Sequence, residues 1–253
     1  MRWTETLRRA EVLAAPRGSH VLPENARIVR GDGWYQVVTP GASAGLNEVV
    51  QARLEEDEVE ARVDDVFAQY AAVEARFKWV LGPDSSPLPV LTRALERRGM
   101  VSWWAAGMCA ALERLETRPP NGVVVTEVHG AESQHAWARI FAEGWGGAAD
   151  HHVARARLGP QRPCFTAWID GVPVGVAAYH DKGLSAYLMD AVVLPAFRGR
   201  GAYRALLAAR VASARARGLT LATTHARVAT SQPVLETAGF DEVFRYRMFG
   251  LPD

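Results

Sequence analysis

The sequence is poor in cysteine and lysine, has almost no net charge and contains no long apolar run. Its two cysteines, Cys109 and Cys164, cannot form a disulfide framework and lack metal-ligand spacing. With 29 basic and 28 acidic residues, the net charge of +1 excludes a protein that coats nucleic acid by bulk charge. No run approaches the roughly 20 apolar residues needed to cross a bilayer. The N-terminus also lacks the apolar segment of a signal peptide. We therefore expect a cytoplasmic protein with no metal, no nucleic-acid partner and no membrane partner.

The composition is that of an ordinary globular protein, and one segment of the chain carries a strong signal for a domain boundary. The chain has 253 residues, of which 49% are hydrophobic, so it can form one large domain or two small ones. Residues 118–122, RPPNG, combine two prolines with an Asn-Gly pair, which is a strong turn signal. This break predicts two domains, 1–118 and 123–253.

In the second half, alternating and helical periodicities predict a mixed α/β fold. The order is strand, two helices, three strands, helix, strand, helix, strand. Asp170-Gly171 is typical of a tight hairpin turn between two of the strands. The predicted strands are 123–128, 164–169, 172–179, 186–194, 219–224 and 244–251, and the helices 132–143, 150–158, 201–217 and 231–238.

The first half carries weaker patterns. Its last elements are a strand, a helix that ends at a glycine, and a second strand. The second half ends with the same order, which indicates a diverged internal duplication. The predicted helices are 5–14, 59–72 and 88–98, and the strands 34–39, 76–80 and 102–112.

The most informative stretch is residues 192–207, VVLPAFRGRGAYRALL. An apolar strand is followed by a proline, a loop of glycine and arginine, and an amphipathic helix. Backbone N–H groups at a helix N-terminus favour phosphate, and glycines let a ligand approach the backbone closely. This loop is therefore a predicted anion site.

Two common phosphate motifs are excluded at specific positions. A P-loop requires a lysine that this stretch lacks. A dinucleotide fingerprint requires a third glycine where Arg204 stands, and an acidic residue after the next strand, which is also missing.

Residues 193–201, with Arg198 and Gly201 in their expected places, resemble motif A of the GNAT N-acetyltransferase superfamily. Residues 235–240, LETAGF, resemble the closing helix motif of that family, with Leu235 in place of its tyrosine. The resemblance covers about residues 123–253, including the order of elements. Tyr203 departs from the small residue that is usual at its position.

The resemblance implies a binding site for acetyl-CoA as the acyl donor. The loop and helix start would hold the pyrophosphate, and the strand end would pair with pantetheine like an additional strand. A backbone N–H of the strand would polarise the thioester carbonyl. The implied donor-binding residues are Val192, Val193, Leu194, Arg198, Gly199, Arg200, Gly201, Ala202 and Tyr203.

The first half has a similar resemblance, to the N-terminal half of tandem GNAT-like proteins of the mycothiol synthase type. It rests on residues 77–85 and the helix that follows. The resemblance therefore implies two GNAT-like halves. The first half lacks a glycine loop like that of residues 198–201. The C-terminal half would bear the acyl-CoA site, and the N-terminal half would be degenerate.

The catalytic groups are less evident. The family tyrosine that protonates the leaving thiolate is Leu235 here, and the frequent general base corresponds to Thr223 or Thr224. Substitutes should lie on the strands that lead into the motif, where Asp190, Tyr187 and Tyr179 are the candidates. Asp190 interrupts an apolar strand, so it either faces solvent, bonds a neighbouring strand or serves in the chemistry.

The sequence therefore predicts an N-acetyltransferase that transfers an acyl group from acetyl-CoA to an amine acceptor. The alternative is a catalytically impaired scaffold that binds CoA as a sensor or carrier. The acceptor and the oligomeric state, including a homodimer, stay open.

Overall fold

The computed structural model describes residues 3–19, 22, 24–40, 46–146, 149, 152–153 and 159–252. The chain forms two compact units. Unit 1 comprises residues 1–21, 107–226 and 230–243, and unit 2 comprises residues 22–106, 227–229 and 244–253.

Helices and strands alternate along most of the chain. The helices are α1 (Glu5–Ala14), α2 (Val59–Ala71), α3 (Leu88–Arg97), α4 (Gly130–Trp145), α5 (Ala202–Ala216) and α6 (Ser231–Thr237). The strands are β1 (Arg27–Gly31), β2 (Trp34–Val38), β3 (Glu48–Ala52), β4 (Lys78–Leu81), β5 (Val101–Ala111), β6 (Val124–Glu127), β7 (Cys164–Ile169), β8 (Val172–Asp181), β9 (Ser185–Val193), β10 (Leu221–Arg227) and β11 (Asp241–Gly250). Of the described helices, none is long and apolar enough to cross a membrane.

The sheet of unit 1 is mixed and carries a helix on each face. Its strand order is β5-β10-β9-β8-β7-β6. β9 and β10 pair in parallel, whereas the pairs from β6 to β9 are antiparallel. Ala178 of β8 packs in a cluster with Trp137 of α4, and the next residue, Tyr179, bonds Ser213 of α5. Because successive strand residues point to opposite faces, α4 and α5 cover opposite sides of this sheet.

Unit 2 has its own set of paired strands and its own core. The strand order is β1-β2-β3-β4-β11, and the end of β11 pairs antiparallel with β4. Helices α2 and α3 bury Tyr70 and Leu91 in a cluster that also contains Phe77, Trp79 and Phe249. Tyr70 stacks on Phe77 with ring centres 4.2 Å apart. These aromatic contacts give unit 2 a packed core independent of the glycine loop.

The structure confirms the mixed α/β fold and most of the predicted elements. The hairpin turn is confirmed, since Asp170 and Gly171 have φ of 51° and 76°. Strands β1 and β3 were not predicted; both have five residues, and β1 is largely exposed. Most of the predicted helix 150–158 lies outside the described residues.

The compact units differ from the two sequential halves. Residues 118–122 lie inside unit 1, and α1 belongs to unit 1 although it precedes the break. The strands β5 and β11 contribute residues to both units. The division into domains 1–118 and 123–253, with an inherited duplication, stays a prediction.

Candidate active site

Strands β9 and β10 separate part-way along their length. They pair in parallel up to Leu188 and Thr224, although both strands continue beyond these residues. The Thr224 hydroxyl donates to the Leu188 carbonyl at 2.9 Å, at the last paired position. Beyond it, the edge of β9 that faces β10 presents backbone groups outside the ladder of the described strands. A cleft therefore opens beside residues 189–193.

A β-bulge interrupts β9 at this opening. Across the pair with β8, residues 190 and 191 together oppose the single residue Ala177. Asp190 has φ of 56°, a left-handed conformation that non-glycine residues seldom adopt. Such a bulge bends the strand and changes the direction of a side chain. Here it places an aspartate at the point where the two strands part.

The loop after β9 leads to a helix with open N–H groups. Gly199 and Gly201 have φ of 77° and 88°, so both use the conformation that glycine adopts without strain. The first hydrogen bond of α5 runs from the Ala205 N–H to the Gly201 carbonyl, 3.0 Å away. Within the described chain, the N–H groups of residues 199–204 donate no hydrogen bond. With the positive end of the helix dipole, they form a site for an anion.

The two loop arginines have different positions. Arg198 folds back, and its Nε donates to the Val193 carbonyl at 3.3 Å, which ties the loop to the strand end. Arg200 is 48% exposed and lies 3.3 Å from the carboxylate of Asp170, which is 85% exposed. Because that surface pair is weak, Arg200 is available to a bound anion.

The three predicted residues at the strand end are also brought to this place. Val192 and Leu194 contribute side chains to the cluster under α4, where Gly144 leaves room for Val192. An added Cβ at Gly144 would lie 2.2 Å from Val192 Cγ1. The side chains of Val192 and Leu194 are thus fixed in the core. The Leu194 N–H donates to the Val174 carbonyl of β8 at 2.9 Å, so Val193 is the residue of the three whose backbone faces away from β8.

Asp190 is paired with an arginine inside the protein. Arg162, which lies two residues before the start of β7, contacts Asp190 Oδ2 through Nη2. The Arg162 side chain is 2% exposed and that of Asp190 is 8% exposed. The Arg162 Nε and Nη1 are buried and have no hydrogen-bond partner in the described structure. Exposure of Asp190 to solvent, one of the alternatives considered from the sequence, is wrong, because its side chain forms a buried ion pair.

A second buried arginine lies near the same carboxylate. Arg210 of α5 donates from Nε to the Leu206 carbonyl at 3.1 Å and from Nη1 to the Ala178 carbonyl at 3.4 Å. Burial lowers the pKa of Arg210, while Tyr203, its hydrogen-bond partner, and Asp190 oppose that shift. Burial likewise raises the pKa of the Tyr203 phenol. Tyr203 therefore connects the start of α5 to the charged groups at the bulge.

Comparison with protein families identifies the segment that carries this site. Residues 131–240 match the model of the acetyltransferase (GNAT) family. We call this matched segment the GNAT domain. It contains the bulge, the glycine loop and α5, together with both buried arginines.

Solved structures share the fold over nearly the whole chain. A GCN5-related N-acetyltransferase from Kribbella flavida is 18% identical, with a TM-score of 0.65, and the match covers 100% of this chain and 97% of that one. A GCN5-related N-acetyltransferase from Sphaerobacter thermophilus is 17% identical, with a TM-score of 0.62, covering 97% and 84%. A tandem GNAT protein from the clavulanic acid biosynthesis pathway is 14% identical, with a TM-score of 0.54, covering 97% and 95%. A comparison with curated proteins finds no match.

In the GNAT domain, the two tyrosine candidates have different environments. Tyr187 lies on β9 with its ring edge-to-face against His225, 5.9 Å between centres, beside the separating strands. Tyr179 is fully buried, and its hydroxyl is 3.0 Å from Ser213 on the α5 side. Burial raises the Tyr179 pKa, which the Ser213 hydrogen bond partly opposes. Tyr187 is therefore close to the cleft, whereas Tyr179 is a core residue.

At the positions where the family resemblance places the general acid and the general base, this chain has side chains that cannot perform these roles. Leu235 is 1% exposed on α6 and carries no proton to donate. The Thr224 hydroxyl is used at the last paired position of β9, and Thr223 is fully buried. Among the described residues, no group of three or more His, Cys, Asp or Glu side chains is placed to hold a metal. His151, of the adjacent pair His151-His152, lies outside the described residues.

Sequence reasoning missed the two buried arginines. Arg210 lies seven residues after Tyr203, so helical periodicity could have placed it on the buried stripe of α5. Arg162 stands in a loop just before a strand, where no periodicity indicates burial. Its pairing with Asp190 depends on how β7, β8 and β9 lie side by side.

Proposed function

We propose that this protein is an acyl-CoA-dependent N-acyltransferase that moves an acetyl group from acetyl-CoA directly to a primary amine of a small molecule or peptide. One observation carries the proposal. The cleft between β9 and β10 opens beside a helix start whose N–H groups, in residues 199–204, donate no hydrogen bond within the described chain. An acyl-CoA matches both features, because its extended thioester arm can lie in the cleft while its pyrophosphate meets the N–H groups at the helix start. We place the reaction in the cytoplasm.

The donor would lie along the loop and the strand end. The N–H groups of residues 200–203 would receive the pyrophosphate, with Arg200 adding positive charge at the surface. Pantetheine would lie along residues 192–194 and pair with the backbone groups that face away from β8. Arg198 would hold the turn between these two parts through its bond to the Val193 carbonyl.

Attack by the amine would take place at the bulge. The backbone there leaves the ladder, so an N–H group can face the thioester carbonyl and stabilise the developing oxyanion. Asp190 would orient the incoming ammonium group and accept its proton, directly or through water. Tyr187 lies close enough to shape the acceptor pocket.

Direct transfer is favoured over a covalent intermediate. Cys164, the cysteine in this domain near the site, is 2% exposed and packs in the cluster under α4. Its Sγ lies 3.7 Å from the Arg162 carbonyl, in a contact that gives no activation of a thiolate. The second cysteine, Cys109, has its pKa raised mainly by burial.

The leucine at position 235 does not prevent turnover. A thiol has an ordinary pKa of about 8.5, so a thiolate is a good leaving group near neutral pH even without an enzymatic acid. The same leucine supports the second candidate function, a CoA-binding protein without turnover. That candidate needs the loop and the cleft but no role for Asp190.

Turnover separates the two candidates. Acetyl-CoA is incubated with a panel of amines, and released thiol and acetylated product are measured while calorimetry records CoA binding. Product formation supports the transferase. CoA binding without product on any amine favours the binding protein, and absence of CoA binding contradicts both.

A further inference from the structure

Arg162 has more hydrogen-bond donors than its surroundings use. A guanidinium carries five N–H donors in a fixed plane. Its Nη2 contacts Asp190, while Nε and Nη1 are buried and meet no acceptor in the part of the chain that the structure describes. Unpaired buried donors are costly, so such a group is expected to meet acceptor atoms when the site is filled. Arg162 reaches the bulge where the chemistry is proposed.

Two buried arginines lie near the Asp190 carboxylate. Among the described residues, Arg162 contacts Asp190 and Arg210 lies near it, whereas the carboxylates of Asp181 and Glu11 act on His180 and Lys182. His180 lies near Arg162, and its pKa is lowered mainly by burial, with Lys182 and Arg162 adding to that shift. Lys182 itself donates to the Arg17 carbonyl at 3.0 Å. An additional negative charge beside Arg162 would therefore be stabilised.

We propose that the acyl acceptor is an amino acid or a similar amine with a carboxylate a few bonds from its nitrogen. Arg162 would bind the acceptor's carboxylate, and Asp190 would receive its ammonium group. This inference rests on the proposed acyltransferase function and specifies its substrate class.

The chemistry of the pair supports a zwitterion. An amino acid carries an ammonium group and a carboxylate close together, and these two charges complement the Asp190 carboxylate and the Arg162 guanidinium. Arginine binds carboxylates with planar, charge-assisted hydrogen bonds. An amine without a carboxylate would leave the Nε and Nη1 donors without acceptors. Sites built to satisfy buried polar groups reject such analogues strongly.

The first arm of the test compares matched acceptors. The common amino acids and their carboxamides are assayed with acetyl-CoA by thiol release and mass spectrometry. We expect at least one amino acid to react with a kcat/KM about 10²–10⁴ times that of its carboxamide. Equal rates for acid and amide would overturn the inference while leaving the transferase in place.

The second arm uses Arg162→Lys, which keeps the positive charge beside Asp190 but loses the planar set of donors. We expect KM for the preferred amino acid to rise about 10–100-fold, with little change for its carboxamide and none in CoA affinity. Arg98→Lys is the control, because Arg98 pairs with Asp64 and Glu60 in unit 2. Equal losses for acid and amide would mean that Arg162 only positions Asp190, which contradicts the inference.

A third arm separates this inference from the proposed function. Binding of the amino acids to the CoA complex is measured by calorimetry for wild type and Arg162→Lys. Binding that requires Arg162 supports the site even if no turnover is detected. If no amino acid binds or reacts, while other amines are acetylated, the inference is wrong and the transferase stands.

Discussion

Two strand–loop–helix segments of the chain follow the same order but use their backbone amides differently. In unit 2, β4 leads through residues 82–87 into α3, and the amides of Ser85 and Ser86 are used. Ser85 N–H donates to the Gly82 carbonyl at 3.0 Å, Ser86 N–H donates to the Ala52 carbonyl at 2.9 Å, and Pro87 has no N–H. In the GNAT domain, the backbone N–H groups of residues 199–204 donate no hydrogen bond within the described chain.

The difference shows what an anion site requires beyond a helix after a strand. Gly199 and Gly201 allow left-handed backbone that turns amides outward. In residues 82–87, by contrast, the Ser86 amide donates to β3 and the Ser85 amide donates within the loop. The loop of unit 2 therefore offers a pyrophosphate fewer free N–H donors, because Ser85 and Ser86 use theirs and Pro83 and Pro87 have none. This supports, as a proposal, the interpretation of the first half as a copy without a donor site.

The largest expected effect concerns the acidic residues of the two segments. Asp190→Asn should lower kcat/KM about 10²–10⁴-fold and leave CoA affinity unchanged, because the amide cannot accept the proton of the amine. Asparagine tolerates the left-handed φ of 56° at this position. Asp84→Asn, in the loop of unit 2, is the control and should keep full activity. Wild-type turnover of Asp190→Asn would remove Asp190 from the mechanism.

Glycine substitutions come next. An alanine at Gly201 must adopt φ of 88°, and its Cβ would lie 3.2 Å from Pro120 Cβ. Gly99 of unit 2 has φ of 79° with nothing within 4 Å of an added Cβ. Both alanine variants should lose about 1–2 kcal/mol of stability from backbone strain. Only Gly201→Ala should weaken CoA binding, by about tenfold; equal calorimetric affinities would break the comparison.

A charge reversal should have a smaller effect. Arg200→Glu should raise KM for acetyl-CoA several-fold at low salt, because an exposed positive charge beside the loop attracts phosphate. Added salt should shrink the difference, since the residue is exposed. Arg97→Glu, an exposed arginine at the end of α3, is the control. A KM that rises equally in both variants would indicate a general charge effect.

The smallest effect compares buried tyrosines of the two units. Tyr70 donates to the Val37 carbonyl at 2.6 Å, and burial raises its pKa, as it does for Tyr179. In the folded state both phenols therefore stay protonated above pH 10, which is the ordinary pKa of a tyrosine. Wild-type stability should therefore fall as pH rises above 10. In urea unfolding, Tyr70→Phe and Tyr179→Phe should each lower the free energy of unfolding, relative to wild type, by about 1 kcal/mol at pH ~8 and by less at pH ~11. A gap that does not change with pH would contradict the pKa shifts.

Local patterns made much of the fold predictable. The helix predicted over residues 5–14 ends where the structure has it, and the helix over 59–72 differs by one residue. The glycine loop and its helix also follow from local residue types. The bulge depends on the register of β8 against β9, which no local pattern encodes. The pair of Arg162 with Asp190 joins residues 28 positions apart and follows from that register.

The claim that one loop binds acyl-CoA and the other does not can be tested by amide hydrogen exchange with and without saturating acetyl-CoA. We expect exchange to slow at residues 199–204, because their N–H groups gain acceptors, and to stay unchanged at residues 82–91. Unchanged exchange at 199–204, or new protection confined to 82–91, would contradict the account.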